Sequence, residues 1–242
     1  MKDIDWLLSV CALNGLPMTR LQADQLERYR NLLLTWNSKL NLISRKDEEH
    51  FYSRHVLNSV SFLFSHRFKH GGTVLDLGTG GGLPGVPIKI LVPDLRVVLL
   101  DSIGKKTMAL SEIVDGLSLA EVRVVTGRAE EIAGKDEFYG VFDYVVSRGA
   151  GKLHEVVKWS RLFLGEYQPV GQYEIPKGVL IVLKGGGFTD ELNVARKLKF
   201  VESVEVHDIS FHGMDDADNK EKKLVLVTYR GTSKDNRMKR DE

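Results

Sequence analysis

The chain has 242 residues, 43% hydrophobic and 28% charged, a balance that excludes wholesale disorder and suits one large α/β domain or a small module joined to a medium one. Lysine and arginine total 34 against 33 acidic residues, which excludes a uniformly basic nucleic-acid coat but leaves room for a local basic face. The single cysteine, Cys11, permits no internal disulfide and points to a reducing cytoplasm, and no apolar run approaches the ~20 residues of a membrane-spanning helix.

The opening residues include a brief apolar stretch, but Asp3 and Asp5 stand where an export signal carries positive charge, so none is expected. Thr19 and Gln22 form a capping-box pair ahead of a helix. Leu26, Tyr29, Leu33, Trp36 and Leu40 then recur at intervals of three and four, the apolar stripe of an amphipathic helix. A second helix is expected over residues 53–64, with Leu57, Val60 and Phe64 on one face. Residues 20–70 hold nine Lys/Arg against five Asp/Glu. Residues 1–70 are therefore predicted to form a basic helical layer.

From Thr73 the period changes. Short apolar runs at 74–78, 96–101, 122–126, 142–147 and 178–184 alternate with helical stretches at 85–92, 104–116, 151–163 and 189–199. Strands alternating with helices imply βαβ units and a parallel sheet covered on both faces. Two further strands, 202–209 and 222–230, have no helix between them and should close the sheet as an antiparallel pair. The expected architecture is a doubly wound, mostly parallel seven-stranded α/β sheet over residues 71–230. That is the Rossmann-like topology of class I S-adenosylmethionine (SAM)-dependent methyltransferases. Residues 231–242 read as a polar tail.

Asp76-Leu77-Gly78-Thr79-Gly80-Gly81-Gly82-Leu83-Pro84-Gly85 is the richest segment. Gly80, Gly82 and Gly85 satisfy G-x-G-x-x-G, which lets a backbone approach a nucleotide cofactor at a helix N-terminus. Asp76 at the strand mouth suits the cationic amino end of SAM, directly or through water, whereas in a nicotinamide site it would face pyrophosphate and be repelled. Asp101, followed by Ser102, ends the next strand where a ribose would lie, or caps the helix that follows. Arg128-Ala129-Glu130 follows the third strand, beside the expected adenine.

Ser147-Arg148 ends the fourth strand, with neither an Asn/Asp-Pro-Pro-aromatic motif nor a cysteine nearby. Such a site suits an acceptor with a free lone pair, such as guanine N7, aligned by orientation alone. Arg148 would grip guanine O6, a phosphate or the cofactor carboxylate, or else form a structural pair with Asp143 or a helix C-terminus. Arg45, Lys46, Arg54 and His55 of the basic layer, with Lys105 and Lys106, would neutralise RNA phosphates. His66 and His70 have ligand spacing without a third partner, and no metal is expected.

Several of these segments resemble the RsmG (glucose-inhibited division protein B) family of bacterial 16S rRNA guanine-N7 methyltransferases. Trp36-Asn37-Ser38-Lys39-Leu40-Asn41-Leu42-Ile43-Ser44 looks like its W-N-x-x-x-N-L motif and Arg54-His55-Val56-Leu57-Asn58-Ser59 like its R-H-x-L-D-S. The glycine segment looks like its cofactor loop, and Arg128-Ala129-Glu130 and Ser147-Arg148 fall in the family's order. The chain departs from the pattern at Asn58 and at Gly149-Ala150-Gly151. The resemblance implies that Gly78, Leu83, Ala129, Glu130 and Arg148 contact SAM, with Arg148 beside the target base. It implies as partner 16S rRNA, the small subunit or its precursor, methylated in the decoding-region loop. Apart from the resemblance, the enzyme is expected to be cytoplasmic and monomeric. The competing expectations are a nicotinamide-dependent oxidoreductase, a non-catalytic RNA-binding assembly factor and a small-molecule methyltransferase.

Overall fold

A computed structural model describes residues 2–169, 171, 173–213 and 222–231; of the tail expected at 231–242, all but Gly231 lies outside them. Two helices open the chain. Helix α1 (Ile4–Leu13) is capped by Asp3, whose carboxylate accepts from Trp6 N at 3.0 Å. Helix α2 (Arg20–Asn37) begins with the expected capping box. Leu26, Tyr29 and Leu33 of its stripe are buried, but the helix stops at Asn37, so Leu40 lies beyond it.

The second expected helix is not one regular element. Residues Arg45–His50 are 3₁₀, Phe51–Leu57 are π-helical, α3 (Asn58–Val60) is a single α turn, and Ser61–Phe64 are again 3₁₀. Local side chains contribute to this. Asn58 Nδ2 donates to the Arg54 carbonyl and Ser59 Oγ to the His55 carbonyl, drawing on the acceptors that a regular ladder uses.

The sheet contains β1 (Thr73–Leu77), β2 (Arg96–Asp101), β3 (Val122–Thr126), β4 (Tyr144–Arg148), β5 (Val179–Lys184), β6 (Val201–Asp208) and β7 (Lys223–Tyr229) in the order β3-β2-β1-β4-β5-β7-β6. The first five strands pair in parallel; β7 runs antiparallel between β5 and β6. The intervening helices are α4 (Gly85–Leu91), α5 (Gly104–Leu117), α6 (Ala129–Ile132), α7 (Leu153–Ser160) and α8 (Thr189–Arg196). The short α6 was not anticipated. The strand order reverses between β1 and β4, the position at which open α/β sheets gape at their carboxyl edge.

Strand residues alternate between two cores. Val74, Val146 and Ile181 pack with α1, α2, α4 and α5, whereas Leu75, Val145 and Leu180 pack with α6, α7 and α8. The N-terminal helices therefore share one continuous core with a sheet face. That packing brings α2 and the π-helical turn up to the carboxyl edge.

Candidate functional site

At the switch point lies a cavity of about 420 Å³, lined by the ends of β1, β2, β3 and β4, by Leu42, Ile43 and His55 of the N-terminal layer, and by Lys106 and Trp159. Its volume falls within the range of small-ligand sites, about 300–1,000 Å³.

The wall leaving β1 is a glycine turn held from three directions. Gly78 has φ +73°, and a Cβ there would stand 2.4 Å from that of Ala150, so only glycine allows the turn to approach the loop after β4. Gly80 has φ +56° with open space where a side chain would be. From the N-terminal layer, Tyr29 Oη donates to the Gly81 carbonyl at 2.8 Å. From β2, the Asp101 carboxylate accepts from Gly80 N and, through its other oxygen, from Ile103 N, each at 2.9 Å. Asp101 thus caps the approach to α5 and still lines the cavity, with a lone pair on each oxygen left for a ribose hydroxyl.

Asp76 differs from its expected placement. It is fully buried and is not on the cavity wall. Its Oδ2 accepts from Thr79 Oγ1 at 2.6 Å and from Gly85 N at 2.7 Å, while Oδ1 has no partner. Burial pushes its pKa up to about 7, against the lowering effect of those two bonds and of Arg148. The close approach of Gly85 to β2, where a Cβ would lie 2.4 Å from Leu99 Cδ2, encloses the carboxyl group beneath the turn. Asp76 shapes the turn from behind rather than facing a ligand. Gly82 also stands off the wall, against Val86 and Tyr29. Thr79, Leu83, Ser102, Arg128, Ala129 and Glu130 line the cavity as expected.

Arg148 closes the far side. Its Nη1 donates to the carbonyls of Arg54 and His55, each at 3.2 Å, and its Nη2 meets His55 Nδ1 at 3.0 Å. Asp143 pairs instead with Lys177, so the expected alternative of an Arg148–Asp143 pair does not form. Burial first, and the Arg148 charge second, lower the His55 pKa to about 4. A neutral, buried imidazole cannot neutralise a phosphate, and His55 leaves the set of expected RNA cations.

Of that set, Arg54 is exposed and paired with Asp47 at 2.6 Å. Lys106 is on the cavity wall, and Lys105 is exposed beside it. Arg45 and Lys46 line a second groove with Lys39, Asn41 and Ser44. None of its three cations pairs with a carboxylate among the described residues. Among the described residues no group of three metal-ligand side chains occurs; His70 pairs with Asp94, and His66 Nδ1 contacts Ser65 Oγ at 2.8 Å.

Sequence reasoning missed Asn37. Its Oδ1 accepts from the backbone of Leu42 and Ile43 at 2.8 and 2.9 Å, and its Nδ2 donates to Glu48 at 2.6 Å. These bonds fold the two apolar residues onto the cavity. The signal was Asn37's place in the tryptophan-asparagine segment, read only as a family mark. Tyr29, assigned to the core, is buried there but also clamps the glycine turn. Trp159 had no sequence signal.

A family model described as rRNA small subunit methyltransferase G matches residues 22–223. The chain belongs to that family. It is similar to ribosomal RNA small subunit methyltransferase G of Chlorobaculum tepidum, 37% identical over 232 residues that span 94% of this chain and 99% of that protein. The Porphyromonas gingivalis protein of the same name is 40% identical over 187 residues, 77% of this chain and 80% of its own.

Among solved structures, a SAM-dependent methyltransferase from Aquifex aeolicus superposes with a TM-score of 0.51 at 15% identity, covering 76% of this chain and 98% of that one. A Haloferax volcanii complex of the Trm112 activator with a methyltransferase gives 0.53 at 14%, covering 77% and 95%. These likenesses establish the class I methyltransferase fold. This member of the methyltransferase G family is a small-subunit rRNA methyltransferase, with S-adenosylmethionine as its methyl donor. The cavity fits such a group. The Asp101 oxygens keep acceptor capacity for hydroxyls, and Gly80 leaves space where any side chain would intrude.

Proposed function

We propose that the chain methylates N7 of a guanine in the 530 loop of 16S rRNA. The observation that supports this reading is the chemistry around Arg148. The nearest imidazole nitrogen, His55 Nδ1, is taken up by the guanidinium. Of the wall carboxylates, Asp101 ends β2 and Glu130 lies in α6 just after β3, both across β1 from Arg148. Cys11 is buried in the N-terminal layer. With no free base among the described residues lining that side of the cavity, the site suits an acceptor that is already nucleophilic, and guanine N7 carries an in-plane lone pair.

The bound donor supplies an electrophilic methyl on a sulfonium sulfur. The chain's work is then alignment. Asp101 accepts from ribose hydroxyls, and the Arg128–Glu130 segment reads the adenine edge. Arg148 has spent three of its five N–H groups on Arg54 and His55. Its remaining two are free for guanine O6, which adjoins N7 and fixes the direction of the lone pair. Leu42 and Ile43 form the apolar side of the base pocket. The groove of Lys39, Arg45 and Lys46 lies on the other side of that segment and takes flanking phosphates. A target base reaching such a crevice must leave its stack, as loop nucleotides do readily. In this reading the protein works as a cytoplasmic monomer on the small subunit or its precursor.

Arg148→Ala tests the assignment. SAM affinity by calorimetry stays within about tenfold, while the rate of methyl transfer falls on the order of 10²-fold, the usual cost of removing a preorganised donor. Unchanged turnover would remove Arg148 from the mechanism. Retained SAM binding in the wild type with no methylation of any rRNA would favour a non-catalytic assembly factor.

A further inference from the structure

Arginine offers five N–H donors and no acceptor, and it stays charged at any pH the fold survives. With Arg148 Nη2 3.0 Å from His55 Nδ1, the ring nitrogen must be the acceptor. His55 is therefore neutral, with its hydrogen on Nε2. That tautomer is not favoured by the other end of the ring, because Nε2 is covered and has no partner. Moving the hydrogen to Nδ1 would relieve the orphaned donor but point it at the guanidinium. The ring thus tolerates an unsatisfied Nε2–H, normally an unfavourable arrangement, in order to present a lone pair to Arg148. Its lowered pKa, about 4, acts in the same direction.

The backbone around His55 supports the same end. Phe51–Leu57 is π-helical, a winding often found at functional sites. The carbonyls of Arg54 and His55 both accept from Arg148 Nη1. Arg148 is thus held by two carbonyls and one imidazole. The carboxylates closest in charge are committed elsewhere, Asp47 to Arg54 and Asp76 to Thr79 and Gly85. A guanidinium caged by neutral acceptors is fixed in direction while keeping its full charge for a ligand.

We infer that His55 is a positioning residue for methyl transfer, aiming the Arg148 guanidinium at the acceptor base through its Nδ1 lone pair without neutralising it. The inference rests on the placement of Arg148 beside the target guanine. It assigns His55 to the reaction rather than to RNA phosphates.

Two replacements separate aiming from packing. Phenylalanine fills the ring's space but offers no acceptor, whereas asparagine places a carbonyl oxygen near the position of Nδ1. His55→Phe should lower kcat about tenfold or more, with KM for unmodified subunits and SAM affinity within about threefold, while His55→Asn recovers most of kcat. A purely structural role would move KM, SAM affinity and melting temperature together and give no rescue by asparagine. Wild-type turnover in His55→Phe overturns the inference.

A second arm needs no variant at His55. In ¹⁵N spectra of histidine-labelled protein at neutral pH, the His55 ring should show an unprotonated Nδ1 and a protonated Nε2, a pattern lost in Arg148→Ala. A protonated Nδ1 in the wild type also overturns it. If the label from SAM maps to some atom other than guanine N7, the functional reading fails while the spectrum still reports the His55–Arg148 bond, so the two failures are distinguishable.

Discussion

Asp76 provides the sharpest contrast between two ways of holding a sulfonium donor. In the structure its Oδ2 takes the Thr79 hydroxyl and the Gly85 N–H, and its Oδ1 faces no partner. Asp76→Ala strips an acceptor from both donors in a fully buried place. Each unpaired group costs about 1–3 kcal/mol, less for the hydroxyl, which can rotate, so about 2–4 kcal/mol is expected in all. For a chain of this size that is a fall in melting temperature on the order of 10 °C. The glycine turn loosens and SAM affinity falls with it. Asp76→Asn behaves otherwise. Its amide oxygen accepts from the same two donors, and its nitrogen occupies the side that has no partner. Because the wild-type carboxyl already holds a proton up to about pH 7 on a side that has no partner, the amide adds one further unpaired N–H and should cost about 1–2 kcal/mol, with SAM affinity within about tenfold. Scanning calorimetry and titration with SAM read the two quantities separately. If Asp76→Asn weakens SAM as severely as Asp76→Ala, by a hundredfold or more, the carboxylate is a charge partner of the donor and its burial behind the turn has been misread.

Further outcomes follow from the same geometry. Asn37→Ala should cost about 2–4 kcal/mol by orphaning the Leu42 and Ile43 amides, seen as a lower melting temperature and lost hydrogen-exchange protection at those residues; intact protection would contradict it. Gly85→Ala drives a methyl against Leu99 and Asp76 and should lose about 1–3 kcal/mol or more of stability. Gly80→Ala, with open space but a left-handed φ, should cost only about 1–2 kcal/mol while impairing SAM binding; the reverse ranking would refute the placement of the turn. The pH dependence of stability carries two opposed contributions. Asp76, its pKa raised from 3.8 to about 7, holds a proton that the unfolded chain releases, so its contribution declines as pH rises through that window. His55, lowered from 6.5 to about 4, stays neutral where the unfolded chain protonates, so its contribution declines as pH falls from about 6.5 towards 4. Asp76→Asn removes the first alone, and melting temperature should then rise more steeply with pH between about 4 and 6.5 than in the wild type; an unchanged slope would show that the buried carboxyl does not titrate there.

Much of the sheet was legible because each parallel strand is an apolar run ending near a glycine or polar residue at the edge. The places of Gly78, Gly80, Asp101 and the Arg128–Glu130 segment on the cavity wall were legible for a related reason: each follows the end of a strand, which the hydrophobic pattern reveals. Orientation was harder. Asp76 occupies the same sequence position whether it faces a ligand or turns beneath the loop, and only the close approach of α4 to β2 decides. His55 read as a surface cation because its partner, Arg148, is 93 residues away. The stripe of Leu57, Val60 and Phe64 fitted an α-helix, and the spacing gave no warning that Asn58 and Ser59 would bond to the Arg54 and His55 carbonyls of a wider turn. Asn37 illustrates a further limit: its role is to hold a backbone five and six residues on, and its place in the tryptophan-asparagine segment marks the residue without saying what it holds.

The most direct measurement is to incubate the protein with methyl-labelled SAM and small subunits isolated from cells lacking the modification, then to map the label to its nucleotide and atom. One methyl per subunit at N7 of a guanine in the 530 loop is the expected result. Label at another nucleotide or at an exocyclic or carbon position, or none in RNA at all, would contradict the account.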